Sequence, residues 1–410
     1  MTNILLSFLS RQWAGLPVAA VPALLGAGCL HAGRGSGEVA LVVLGWVLLA
    51  IAAALALGAA FHLLHMARVR AKFPPPGKLV DVGGYRVHVL AEGDARGKPS
   101  VVWMPGAHAG GYSYQHLHRV FREEARSILV DRPGTGWSDV GPFPRTTARE
   151  AEEVIAALAG AGEAGPFVLV GHSFGGLLVA NIARRWPERV AALVMVDATP
   201  PDTVIYGPPI PVLKQMRRGA VVNALPSLFG VHVDFAERRQ RRHAPPEWKR
   251  ITEVVEERLG DAVAVLRATD SGTKAACAGA SIYGELSPDG LAQVAWDTVV
   301  YEGDLGDMLV LLVAPNTMEE PEFAATAAMI ERQAGPGVTL DRARLRRFYT
   351  RSRERYLTIS SRSRRVVAPK GTGHNFPYEV PEFLVLSASE GGEPYLKWLA
   401  ECTGSVREKE

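Results

Sequence analysis

The chain has 410 residues, 48% apolar and 21% charged, and a formal net charge of +3 from 45 basic and 42 acidic side chains. This is the balance of a well-packed globule, and neither the small charge nor any interleaving of basic with aromatic residues suggests a nucleic-acid interface. Cys29, Cys277 and Cys402 are odd in number, far apart and outside any CxxC pair, which speaks against a disulfide framework or a zinc site and for a reducing compartment.

The first element in chain order is Trp13 to Leu30, 18 uncharged residues that include Pro17, Pro22 and three glycines. Its length admits a membrane span and its composition weakens a helix, so one span or two remain open for the N-terminal segment. Arg11 is the only early cation and lies behind apolar "ILLSFL", unlike a cleaved leader. Val39 to Phe61 then runs 23 residues without a charge. At about 1.5 Å per helical residue it exceeds a hydrocarbon core of about 30 Å, and it has no polar face to turn to water, so it reads as a transmembrane helix. Arg68, Arg70, Lys72 and Lys78 follow before the first acid, Asp81, whereas only Arg34 and Glu38 stand just ahead of the span. The positive-inside rule therefore places the C-terminal domain on the cytoplasmic side.

"AKFPPPGK", residues 71–78, reads as a semi-rigid linker. Behind it, "KLVDVGGYRVHVLAEGD" has two alternating apolar runs around Gly83-Gly84 and predicts a β-hairpin. Six short apolar runs follow, starting at Ser100, Arg126, Pro166, Val190, Met308 and Ser363, most of them separated by helical patterns. Strands alternating with helices predict a mostly parallel α/β sheet with helices on both faces. About a hundred residues separate the fourth run from the fifth, far more than one crossover needs. Within that stretch, Trp248, Ile251, Val254, Val255, Leu259, Val263 and Leu266 recur at spacings of three and four, the pattern of an amphipathic helix. The expected division is an anchor over 1–70, a core over 79–201 and 302–402, a helical cap inserted over 202–301, and a polar tail over 403–410.

Gly171-His172-Ser173-Phe174-Gly175-Gly176 follows the apolar "FVLV" and precedes the helical "LLVANIARRW". A serine on a tight turn from strand to helix takes a strained backbone, and only small residues two positions to either side avoid collision. That is the physical demand behind G-x-S-x-G, and it lifts the hydroxyl above the sheet at a helix N-terminus.

"GHSFGG", "DRPGTGWSD" at Asp131, "MPGAHAGG" at Met104 and "GTGHNF" at Gly371 resemble, in order, four landmarks of the α/β-hydrolase fold superfamily. The resemblance covers roughly residues 79–400 and implies a Ser, acid, His triad. Ser173 and His374 take its first and last positions. The acid is open: the penultimate strand, where most relatives carry it, gives "LVLLVAPNTMEEPEF", whose carboxylates are Glu319 and Glu320. Asp197, at the end of "VMVDA", is the position that haloalkane dehalogenases and pancreatic-type lipases use, and it is favoured because it is short and strand-borne. The resemblance assigns the oxyanion hole to the backbone N–H groups of Ala107 and Phe174, with Pro105 standing where a histidine is common. Asp131 reads as scaffold, and His108, His116 and His172 match no zinc spacing.

The expected activity is a membrane-anchored serine hydrolase cleaving carboxylic esters, with no cofactor. Between Lys214 and Arg250, nine basic residues face three acids around apolar "GAVVNALPSLFGVHV". Such a surface suits an anionic leaflet and a lipid-like substrate, or equally a solvated face. A peptidase, a carbon–carbon bond hydrolase, a perhydrolase, an acyltransferase and a non-catalytic membrane-tethered binding protein share the same sequence features.

Overall fold

The computed structural model describes residues 2–107, 109–199, 210–231, 274, 277–281, 302–315, 327–328, 331, 336–337, 339–347 and 354–368. A short N-terminal helix, α1 (Thr2–Leu9), leads into two long antiparallel helices, α2 (Gly15–Ser36) and α3 (Val39–Lys72). The turn between them passes through Gly37 at φ 75°. Both Gln12–Ser36 and Val39–Lys72 are long and apolar enough to cross a membrane.

The prolines and glycines of α2 do not break it. Pro17 falls in the first turn, where its missing N–H has no intrahelical partner to lose. Gly26 and Gly33 belong to the buried seam against α3, whose own seam repeats every seven residues as Gly45, Ala52, Ala59 and Met66. A Cβ on Gly26 would lie 2.9 Å from the Gly45 carbonyl oxygen, so the two backbones pass closer than larger side chains would allow. Outside this seam the hairpin shows water or lipid an apolar surface that includes Leu24, Trp46, Leu57 and Leu64.

Beyond the prolines at 74–76, β1 (Lys78–Asp81) and β2 (Arg86–Glu92) form the expected hairpin. Asp81 Oδ1 accepts the N–H groups of Gly83 and Gly84 at 2.9 and 3.1 Å and fixes the turn. Then come β3 (Ser100–Met104), β4 (Ser127–Asp131), β5 (Phe167–His172), β6 (Val190–Val196), β7 (Leu309–Ala314) and β8 (Ser363–Val367), each within one of the six apolar runs. The sheet order is β1-β2-β4-β3-β5-β6-β7-β8, with β3 to β8 parallel and β2 antiparallel to its neighbours. The central strands β5, β6 and β7 are apolar along nearly their whole length because helices cover both faces. At the edge, β8 exposes Arg364 and Arg365, charges that discourage pairing with another strand.

Helices α5 (Thr147–Ala161) and α6 (Phe174–Arg185) pack on one face, and α4 (Gln115–Phe121) on the other. The α5 helix buries Glu150, Ala151, Val154, Ala157, Leu158 and Ala161 at spacings of three and four, starts at a Thr146 side-chain cap, and stops at left-handed Gly162. Of the expected cap, the described part includes α7 (Ile210–Ser227); the amphipathic pattern of Trp248 to Leu266 lies outside the described residues.

Candidate active site

Ser173 sits between the end of β5 and the start of α6 with φ 54° and ψ −123°, a backbone conformation that costs a non-glycine residue about 1–3 kcal/mol. Its surroundings enforce it. A Cβ on Gly171 would lie 2.6 Å from the Gly175 carbonyl oxygen, and one on Gly175 would collide with the Met104 and Pro105 carbonyls. These two glycines, two positions either side of the serine, are the ones the turn was expected to need. Ser173 N–H donates to the Val196 carbonyl at 3.1 Å, and the Ser173 carbonyl accepts from Gly176 and Thr199 at 3.0 and 2.8 Å. The elbow is thereby tied both to its own helix and to the end of β6.

Two further segments close on it. The loop after β3 brings Gly106 over the serine, such that a Cβ on Gly106 would lie 3.7 Å from Ser173 Oγ. Ala107 in the same loop packs against Phe174 and Leu177. Phe174 is the first residue of α6, a position whose N–H has no partner within the helix. At the end of β6, Asp197 is buried with a positive φ of 38°, and its N–H donates to the Val313 carbonyl of β7 at 2.9 Å. The structure thus gathers Ser173, Phe174, Ala107 and Asp197 at the C-terminal ends of β3, β5 and β6. His374, Glu319, Glu320 and His108 lie outside the described residues.

The loop that begins with Asp131, at the end of β4, borders this site. Asp131 is buried, lies 2.9 Å from His88 Nδ1, and accepts the Trp137 N–H at 3.0 Å. Burial alone would favour its neutral form; the His88 hydrogen bond and charge, the Trp137 N–H and the Lys274 charge outweigh that and hold its carboxyl below the usual range. Neighbouring Arg132 is a contributor that sequence reasoning missed. Its Nη1 pairs with Glu150 at 2.7 Å, its Nη2 donates to the Gly106 carbonyl at 2.6 Å, and its guanidinium lies 5.2 Å from the Phe174 ring centroid. The network continues from Glu150 to Arg145, which pairs with Glu153, and Tyr85 donates to Glu153 at 2.5 Å. His116 lies on α4, and His172 ends β5 with its ring 6.3 Å from that of Tyr114. Among the described residues, no three His, Cys, Asp or Glu side chains converge as a metal would require.

A family model described as "Alpha/beta hydrolase family" matches residues 101–387. Among curated proteins, YbdG of Bacillus subtilis is 29% identical over 147 residues, 35% of this chain and 45% of that protein. Mouse epoxide hydrolase 4 is 30% identical over 124 residues, 29% of this chain and 33% of that protein. The chain therefore spans a third to under a half of the length of these relatives. Among solved structures, an enol-lactonase from Burkholderia xenovorans superposes with a TM-score of 0.50 at 14% identity, covering 78% of this chain and 100% of that one.

Proposed function

Since the chain belongs to the alpha/beta hydrolase family, we propose that it is a membrane-anchored serine hydrolase that cleaves carboxylic esters through an acyl-enzyme on Ser173. The observation that carries the reading is the strained Ser173 backbone, held by Gly171 and Gly175 with the Gly106 loop above its hydroxyl. Strain of this kind persists where a side chain must be presented rather than merely accommodated.

In this reading Ser173 Oγ attacks the acyl carbon while His374 takes its proton, and the C–O bond to the alcohol breaks as His374 returns that proton. Water, activated by the same histidine, then releases the acid and regenerates the serine. The N–H groups of Ala107 and Phe174 stabilise the tetrahedral oxyanion, each worth several kcal/mol of barrier. Asp197 orients His374: it is buried, and it directly follows Val196, whose carbonyl accepts the Ser173 N–H. Glu319 or Glu320 is the alternative acid.

The hairpin of α2 and α3 anchors this domain with both ends on one face of the bilayer, the cytoplasmic one by its flanking cations, and substrate is a lipid-like or other apolar ester. Labelling with a fluorophosphonate probe tests the core of the proposal. The wild type labels and Ser173→Ala does not; an unlabelled wild type, or a labelled Ser173→Ala, defeats it.

A further inference from the structure

The hairpin does not hang free of the catalytic domain. A Cβ on Gly15, at the start of α2, would lie 2.6 Å from the Leu228 carbonyl oxygen, and one on Gly58 of α3 would lie 2.7 Å from that of Phe229. A Cβ on Gly230 would in turn lie 2.6 Å from the Phe61 ring. The turn that ends cap helix α7 therefore nests in a notch between the two anchor helices, and Ala224 and Leu228 are buried there with Leu6, Leu9 and Ala14.

The level of that notch follows from helix geometry. Gly58 lies 19 residues beyond Val39, where α3 begins. At about 1.5 Å per residue this is about 29 Å, the thickness of a hydrocarbon core. Gly58 and Phe61 thus sit at the boundary of the apolar layer on the side of the catalytic domain, just before the cations at 68, 70 and 72. The cap turn seated on them must sit at the same level.

The side of this cap segment turned away from its buried face is apolar. Val222 is 62% exposed and Val231 49%, Leu225 is exposed one turn beyond Val222, and Phe61 beside Gly230 is 52% exposed. The patch is continuous with the apolar outer surface of the hairpin. One turn before Val222 stands exposed Arg218, and α7 contains Lys214, Arg217 and Arg218 without an acid. An apolar edge next to cations at the depth of the interface suits anionic headgroups over acyl chains.

We infer that residues 222–231 of the cap are seated in the interfacial layer of the bilayer, so that the membrane contact of this protein includes its cap as well as its hairpin. The inference rests on the anchored reading given above. Its consequence is that an ester substrate partitioned into lipid meets the cap without first crossing water.

The test uses the full-length protein with Cys29, Cys277 and Cys402 replaced by serine, alanine and serine. Single cysteines at Val222, Val231, Ile51 and Glu123 carry an environment-sensitive NBD fluorophore in vesicles of phosphatidylcholine and phosphatidylglycerol containing doxyl-labelled lipid. With the doxyl group near the headgroup, quenching at Val222 and Val231 is expected to exceed that at exposed Glu123 by about twofold or more. With the doxyl group deep in the chains, Ile51, near the middle of the charge-free run Val39 to Phe61, is quenched instead. Quenching at Ile51 without quenching at Val222 and Val231 overturns the inference and leaves the anchor standing. Lack of quenching at all three removes the anchor as well, and shielding of Val222 from both lipid and aqueous quenchers shows that protein rather than lipid covers it and overturns the inference.

Discussion

Replacement of Arg132 separates a positioning role at the oxyanion loop from a purely structural one. The carbonyl of Gly106 and the N–H of Ala107 belong to one planar trans peptide, so a group that holds the carbonyl from one side aims the N–H to the other. Arg132 Nη2 holds that carbonyl at 2.6 Å while Nη1 is paired with Glu150, and both side chains of the pair are only 1% exposed. Lysine carries one ammonium where arginine has a rigid fork, so Arg132→Lys can retain Glu150 or Gly106 in good geometry but not both. Complete loss of an oxyanion donor lowers turnover by about 10² to 10³. Gly175, packed against the Met104 and Pro105 carbonyls, still braces the loop. The second-order rate of fluorophosphonate labelling is therefore expected to fall about 10-fold to 10³-fold in Arg132→Lys, within the bound set by one oxyanion donor. Glu150→Gln is the counterpart: it leaves a buried arginine without its carboxylate, at about 3–5 kcal/mol, yet keeps the bond to Gly106. Its melting temperature should drop while its labelling rate holds in the folded fraction. A folded Arg132→Lys that labels within about twofold of wild type, measured against the donor-loss scale, refutes the positioning role.

The other expectations concern the acid, the supporting loop and the docking of the N-terminus. Asp197→Asn should cut ester turnover by about 10³ to 10⁴ with folding intact, since asparagine fits the same volume and tolerates the positive φ of 38°; near-normal turnover moves the role to Glu319 or Glu320. Asp131 has its carboxyl held below the ordinary range, so it stabilises the fold above its unfolded value near 3.9 and loses that contribution as pH falls further. In urea melts the stability gap between wild type and Asp131→Asn should shrink as pH falls below about 4; a gap that does not narrow in acid contradicts this account. Burial pushes the Cys277 thiol up to about 12. In a Cys29→Ser, Cys402→Ser background it should resist maleimide until residues 2–14, which contribute Leu6, Leu9 and Ala14 to its cover, are deleted. Rapid modification with those residues present would show that α1 does not dock there.

The sheet and the elbow were legible in the sequence because each is governed by neighbours in the chain. A strand such as Val190–Val196 is apolar throughout since it is buried on both faces, and the glycines at 171 and 175 are set by the turn that contains them. The helix over Trp13–Leu30 was harder to read for a physical reason. Helix propensity counts Gly26 as a weak point, but in a hairpin it is a place where α3 comes close, and that contact exists only once both helices have formed. Arg132 was visible as a residue and hidden as a contributor. Its partners, Gly106 and Glu150, lie 26 residues before it and 18 after it, and no local pattern connects the three. His88 likewise looked like one position of an alternating strand, while its partner Asp131 is 43 residues away.

The same long-range contacts change what the N-terminal segment means for the site. Trp137 Nε1 donates to the carbonyl of Phe73, the residue that follows α3, at 2.9 Å, and the Trp137 N–H donates to Asp131. Asp131 immediately precedes Arg132, and Arg132 holds Gly106, whose loop overlies Ser173. From the other side, Lys274 of the cap donates to the carbonyls of Gly136 and Ser138 in that loop, and Arg145 N–H donates to Ser281 at 2.8 Å. The loop of residues 131–138 is thus bonded at once to the base of the hairpin, to the cap and, through one arginine, to the peptide above the serine. A force that tilts the hairpin acts on that loop directly, and a cut that removes residues 1–72 strips away α1, which packs against α7 and Cys277, as well as removing the hairpin. Activity lost on such a cut would therefore report a perturbed site as much as the loss of the proposed anchor. Substitutions on the exposed apolar side of α3, at Leu57 or Leu64, which leave the seam and the Phe73 hydrogen bond in place, are the changes that test the proposed membrane contact by itself.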